Sequence, residues 1–209
     1  MNEKYKIIKK EELVPVKWAG GDISNLFIYP ADSIYEKKDF LFTLSTANVE
    51  QDVSDFTGFV NYNRIIMTLD NELKLVDNND KSIVLTKNIP YLFDGADDTV
   101  SYANGKLTDF NIIFRKDHCF VDTNSLSIQK DSTIYPRKTF FNYDNVYEFI
   151  YCTKGDLKFM IGNTEHNINS GDFLVIDHKF IDRIYSFVNI NDQVCNVNIS
   201  MVMFNNATL

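Results

Sequence analysis

A chain of 209 residues, 44% hydrophobic and 24% charged, has the composition of a globular protein able to bury one large or two small cores. The formal net charge of -8 and pI near 4.8, with the cations dispersed, exclude a nucleic-acid surface, because phosphate contacts need clustered lysine and arginine. No run of roughly 18 apolar residues is present to cross a membrane as a helix, and Met1-Asn2-Glu3-Lys4-Tyr5 carries no apolar signal core, so a cytoplasmic location is expected.

From the N-terminus, residues 4–10 are rich in lysine and run into Glu11 and Glu12, which reads as a solvated segment with one helical turn at 9–13. Short β-rich runs follow at 26–29, 40–49, 64–69, 73–76, 82–85, 99–102 and 108–115. A further helical turn is expected at 51–56. After a mixed stretch at 116–124 come runs at 126–129, 146–153, 157–161, 165–168, 173–176, 182–187 and 194–204. Their period-2 alternation and regular spacing point to an all-β sandwich or barrel. The 17 Phe and 11 Tyr fit a pleated, half-buried surface. With only 8 Gly and 4 Pro, turns must lean on Asn and Asp, as in Asp77-Asn78-Asn79-Asp80.

The later runs have a rhythm. The strand ending at Cys152 meets Lys154-Gly155-Asp156, then a strand, the turn Gly162-Asn163, a short strand, and Asn169-Ser170-Gly171-Asp172 before the apolar 173–176. That is the hairpin ladder of a cupin jelly roll, and residues 64–85 repeat it more faintly. The expected fold is therefore a double cupin in one compact unit, with an N-terminal barrel over 1–116, which holds the pocket, and a C-terminal barrel over 117–209. An exposed barrel edge would let a second copy pair with it as a homodimer.

Three segments of the first half read as more than scaffold. Trp18-Ala19-Gly20-Gly21 holds the single Trp beside a Gly pair that permits close backbone approach, although an ordinary turn with a core Trp gives the same pattern. In 42–50, Thr43, Ser45 and Ala47 share one face, which either leaves room inside a barrel or points to solvent. Phe93-Asp94-Gly95 and 107–115 form the third, where Asp109, Asn111, Ile113 and Arg115 share a face opposite Phe110, Ile112 and Phe114. Arg64 or Arg115 could give a carboxylate charge-assisted hydrogen bonds. An ion pair closing a barrel mouth is the competing structural reading.

These segments, in this order, resemble the HutD/Ves family of bacterial proteins, encountered around histidine utilisation. The resemblance rests on Trp18-Ala19-Gly20-Gly21 with the strand before Pro30, on Ser45-Thr46-Ala47-Asn48-Val49-Glu50, and on Phe56, Phe59 and Arg64 spaced as the family's F-S-x-F-x-G-x-x-R block. It is completed by Phe93-Asp94-Gly95 and by Asp109-Phe110-Asn111 ending in Arg115. It covers residues 13–116 well and the remainder as a β-rich half of suitable length. It implies a bicupin with a pocket in one barrel and a supporting or regulatory role in amino-acid catabolism. Two positions depart from the family pattern. Thr43 stands where the family carries Arg, and Val60-Asn61-Tyr62-Asn63 replaces the segment with its Gly. A shared fold with a changed ligand is compatible with both.

Little catalytic chemistry is legible. The 3 histidines, His118, His166 and His178, are too scattered for a metal cupin's imidazole cluster and read as surface or capping residues. Cys119, Cys152 and Cys195 have neither disulfide nor zinc spacing. No nucleophile elbow or phosphate-cradling loop is present. No catalytic residue, metal or cofactor is therefore assigned. The ligand-binding candidates are Trp18, Gly20, Gly21, Ser45, Arg64, Asp94, Gly95, Asp109, Asn111 and Arg115, and the expected partner is a small polar or anionic metabolite. The alternative is a metal-independent isomerase, hydrolase or lyase acting on a small carboxylate through Glu50, Asp94 or Asp109.

Overall fold

The structure is a computed structural model describing residues 4–79, 81–136, 142–179 and 184–206. In chain order the strands are β1 (Tyr5–Ile8), β2 (Val16–Trp18), β3 (Gly21–Tyr29), β4 (Phe42–Val49), β5 (Val53–Asp55), β6 (Tyr62–Thr68), β7 (Leu73–Asp77), β8 (Ser82–Leu85), β9 (Tyr91–Asp94) and β10 (Thr99–Ala103). They continue as β11 (Leu107–Arg115), β12 (Cys119–Ile128), β13 (Ser132–Ile134), β14 (Asn145–Lys154), β15 (Leu157–Ile161), β16 (Thr164–Ile168), β17 (Phe173–Asp177), β18 (Tyr185–Asn189) and β19 (Cys195–Phe204). Helix among the described residues is confined to 3-10 turns at Lys10–Glu12 and Tyr35–Lys37. No helix among them is long and apolar enough to cross a membrane.

Contacts divide the chain into one unit of Leu13–Cys119 and another of Met1–Glu12 with Phe120–Leu209. The first unit faces a six-stranded sheet, β2-β3-β4-β11-β6-β9, with a four-stranded one, β5-β10-β7-β8. Val49, Ile66 and Leu107 of the larger sheet pack with Leu73, Leu75 and Leu85 of the smaller. A second cluster gathers Phe40, Phe59, Tyr62 and Ile113, and the Tyr62 hydroxyl donates to the Lys38 and Phe40 carbonyls, each at 2.7 Å. The other unit pairs β1-β17-β14-β19-β12 with β13-β18-β15-β16 over a core that includes Ile150, Phe159, Leu174 and Phe187. Each unit is thus a two-sheet jelly roll, and the chain is a double cupin.

Several expectations change. Residues 1–12 fall with the second unit because β1 pairs antiparallel with β17, Tyr5 opposite Ile176 and Ile7 opposite Leu174. Tyr5 and Ile7 pack on that core, so the lysine-rich start holds an edge strand with Lys6 turned out, while Lys9 beyond it pairs with the buried Asp172 carboxylate at 2.7 Å. The boundary near 116–117 moves to 119–120, and the stretch 116–124 already contains the start of β12. The helical turn at 51–56 is instead strand β5, paired through Ser54 with Ser101. Residues 182 and 183 of the expected run 182–187 lie outside the described residues, as does Asp80 of the Asx turn.

Candidate functional site

Strand β11 lies between β4 and β6, with Asn111 opposite Ser45 and Ile66, and Asp109 opposite Ala47 and Thr68. Both faces of β11 are buried. Phe110, Ile112 and Phe114 fill one, so the pleat turns Asp109 and Asn111 to the interior of the first unit. There they line a cavity of about 170 Å³ together with Trp18, Tyr35, Thr57, Arg64, Ser101, the exposed Asp55 at its edge and apolar neighbours from both sheets.

Arg64 sits in β6 between Ile113 on β11 and Phe93 on β9. Its guanidinium lies 4.5 Å from the Phe56 ring centroid, 5.4 Å from Phe93 and 5.9 Å from Phe59. Aromatic faces attract the cation in place of the water that burial removes. One guanidinium nitrogen, Nη2, donates to Asn111 Oδ1 at 3.2 Å, and Nη1 donates to the Thr57 carbonyl at 3.3 Å. Asn111 Nδ2 in turn donates to Asp109 Oδ1 at 3.1 Å. The polar chain therefore runs Arg64, Asn111, Asp109, with the amide oriented by its two charged neighbours.

Burial acts against both charges. It pushes the Asp109 carboxyl up to about 6, against the opposing pull of the Asn111 hydrogen bond and the Arg64 charge. Burial likewise draws Arg64 below the usual guanidinium range, while Tyr35 and Asp109 hold it up. Among the described residues two buried donors on this cavity, Trp18 Nε1 and Arg64 Nε, have no hydrogen-bond acceptor. Such groups are rare and costly in a folded protein.

The structure brings together Trp18, Arg64, Asp109 and Asn111 of the residues singled out from sequence. Gly20 does not line the cavity, but a Cβ there would lie 2.1 Å from the Trp18 ring, so its bare backbone seats the indole. At Gly21 a Cβ would meet the Asn48 carbonyl oxygen at 1.9 Å, a contact needed for β3 to lie beside β4. Gly95 is also a packing residue: a Cβ would fall 2.8 Å from the Phe59 and Tyr62 carbonyl oxygens. Its amide donates to Tyr62 and its carbonyl accepts from Phe59, which pins the loop that carries Phe56 and Phe59. Ser45 is buried on the inward face without reaching the cavity lining. Thr43 donates to the Phe27 carbonyl at 2.9 Å and is likewise absent from the lining.

Two charged candidates fall elsewhere. Asp94 is at the end of β9, where it pairs with Lys116 at 2.8 Å in solvent. Arg115, the last residue of β11, pairs with Asp117 at 3.3 Å and lies over the outside of Tyr62. At strand ends the pleat no longer separates inside from outside. Glu50 pairs with Lys106 at the surface. Tyr35, Thr57 and Ser101 were not singled out; each sits in a turn or short strand with no pattern to mark it. His178 is not merely superficial either, since its Nε2 lies 2.9 Å from the buried Glu148 carboxylate. Among the described residues no group of three or more His, Cys, Asp or Glu could hold a metal ion.

The HutD family model matches residues 10–189. This chain belongs to the HutD family. No curated protein matches it by sequence. Among solved structures it is similar to a conserved protein of unknown function from Pseudomonas aeruginosa PAO1, with 16% identity and a TM-score of 0.79 over 96% of this chain and 99% of the other. HutD from Pseudomonas fluorescens, solved in a formate condition, gives 15% identity and 0.65 over 96% and 98%. A cupin 2 conserved barrel domain protein from Leptotrichia buccalis gives 9% and 0.58 over 96% of each chain. At these identities the likeness carries the cupin fold, and the HutD assignment rests on the family match.

Proposed function

We propose that this HutD-type cupin binds a small carboxylate metabolite in the first unit's cavity without transforming it, in support of amino-acid, and specifically histidine, catabolism. One observation carries the reading: the two buried donors without protein acceptors, Arg64 Nε and Trp18 Nε1, belong to side chains lining the same cavity. A carboxylate supplies two acceptor oxygens and a charge to meet the guanidinium. A volume of about 170 Å³ suits a ligand of benzene size, since a cavity of about 150 Å³ admits benzene in another protein. Family membership supports the link to histidine use.

The test titrates the protein with formate, histidine and imidazole-bearing acids, reading the melting midpoint and the fluorescence of Trp18, the single Trp. A binding acid raises the midpoint through mass action, and more strongly below about pH 6, where Asp109 is neutral and no longer repels it. Uncharged isosteres that bind as well as the acids would overturn the assignment. One observation favours a second reading, a metal-independent enzyme: Asp109, held near 6 beside an electrophilic Arg64, has the protonation range of a general acid or base. Exchange of a bound acid's carbon-bound hydrogen with D2O, lost in D109N, would select the enzyme over the binding protein.

A further inference from the structure

A second cavity, of about 640 Å³, lies wholly within the other unit, lined by Asp122, Tyr135, Glu148, Ile199 and Met201 among others. Glu148 belongs to β14, opposite Met201 of β19. It is 1% exposed, though its strand neighbours Tyr147, Phe149 and Ile150 are apolar or aromatic. Oxygen Oε2 is committed to two partners. His178 Nε2 lies at 2.9 Å and the Tyr185 hydroxyl donates to the same atom. Burial and the Glu148 charge raise the Tyr185 phenol far above its usual range, so it stays a donor. The other oxygen, Oε1, has no hydrogen-bond partner among the described residues.

A carboxylate this deep is costly unless a cation or further donors meet it. Tyr185 and His178 meet Oε2; among the described lining residues no lysine or arginine meets Oε1, and the second acid, Asp122, stands at the exposed rim. Ile134, Ile199, Met201 and the Tyr135 ring provide apolar walls. We propose that this cavity binds a small organic cation, a primary ammonium on an apolar body, with the ammonium donating to Glu148 Oε1 and the body lying along Ile199 and Met201. His178 and Tyr185 are positioning residues: by holding Oε2 they turn Oε1 to the cavity. The inference is independent of the carboxylate site in the first unit.

Isothermal titration calorimetry with benzylammonium, benzyl alcohol and benzoate tests it. The wild-type chain should bind benzylammonium at least about tenfold more tightly than benzyl alcohol, the scale of one hydrogen bond to a charged group, and benzoate weakest. E148Q should abolish the preference for the cation. Because E148Q also disturbs Tyr185 and His178, Met201→Lys provides a second arm: it places an ammonium across the β14–β19 pair from Glu148 and should displace benzylammonium while leaving that trio intact. Equal affinity for the amine and the alcohol, no heat with benzylammonium, or binding retained in both variants would overturn the proposal.

Discussion

Replacing Asp109 by Asn should stabilise the first unit, and more at neutral than at acidic pH. The Asp109 carboxyl is raised from 3.8 to about 6 in the folded chain, so the folded state holds a proton that the unfolded state releases. Below the unfolded value both states are protonated and nothing is lost. As pH rises from about 4 to about 6, the unfolded chain ionises freely while the folded chain resists, and stability falls. Above about 6 the loss is complete, at roughly 3 kcal/mol for a shift of about two pKa units. Asp109 is 4% exposed, so solvent screening takes little from that figure. D109N removes the penalty, and its side-chain oxygen can still accept from Asn111. Its gain over wild type should therefore grow by about 2 kcal/mol between about pH 4.5 and pH 7.5. Urea unfolding followed by Trp18 fluorescence reads the first unit alone. Taking the difference between two proteins at each pH cancels the other carboxylates. Parallel profiles for the two proteins would refute the buried, proton-holding Asp109.

Asn111→Ala should abolish carboxylate-induced stabilisation and lower the fold's own stability by about 1–3 kcal/mol, because it strips Arg64 and Asp109 of their shared partner; a melting-midpoint shift with ligand equal to wild type would count against it. Gly95→Ala should cost about 1–3 kcal/mol in urea unfolding, since its Cβ meets two carbonyl oxygens at 2.8 Å, and a neutral result would show that the loop can yield. Asp94→Asn breaks only the surface pair with Lys116 and should change stability by at most about 1 kcal/mol, with carboxylate affinity unaltered by calorimetry.

Much of this architecture is written as alternation. The runs at 82–85 and 157–161 coincide with β8 and β15, and most longer strands differ by a residue or two at their ends. The short strands β1, β2, β5, β9 and β13 escape because three or four residues carry little periodicity and here local charge or turn propensity outweighs it, whereas the equally short β8 is a β-rich run between turn residues. Residues 53–55 form a strand only because β10 offers a ladder to Ser54, a tertiary partner no local window contains. The same limit applies to the site. Asp109 and Asn111 are legible because Phe110, Ile112 and Phe114 fix the opposite face. Asp94 and Arg115 sit where strands end, and there a shared face in sequence places nothing. Glu148 is a lone carboxylate within the run 146–153, where a buried or paired acid fits.

The spacing of Phe56, Phe59 and Arg64 acquires a physical reason once the loop is seen. Phe56 and Phe59, joined by Phe93 from β9, present ring faces to the guanidinium, and Gly95 holds the loop that carries the first two. Rings stabilise a buried cation but accept few hydrogen bonds, so the cage keeps Arg64 charged while leaving donors unspent. Asp109 is the buried acid of this cavity, with Asp55 at its exposed edge. Neutral below about 6, Asp109 no longer offsets the guanidinium from inside the cavity; ionised above, it does. On the proposed function, a carboxylate should bind the first unit's cavity most strongly in mild acid. In the second unit the buried charge is Glu148, with the opposite sign and the opposite demand. A single kind of ion cannot satisfy both cavities, so ligands of opposite charge should stabilise the chain independently.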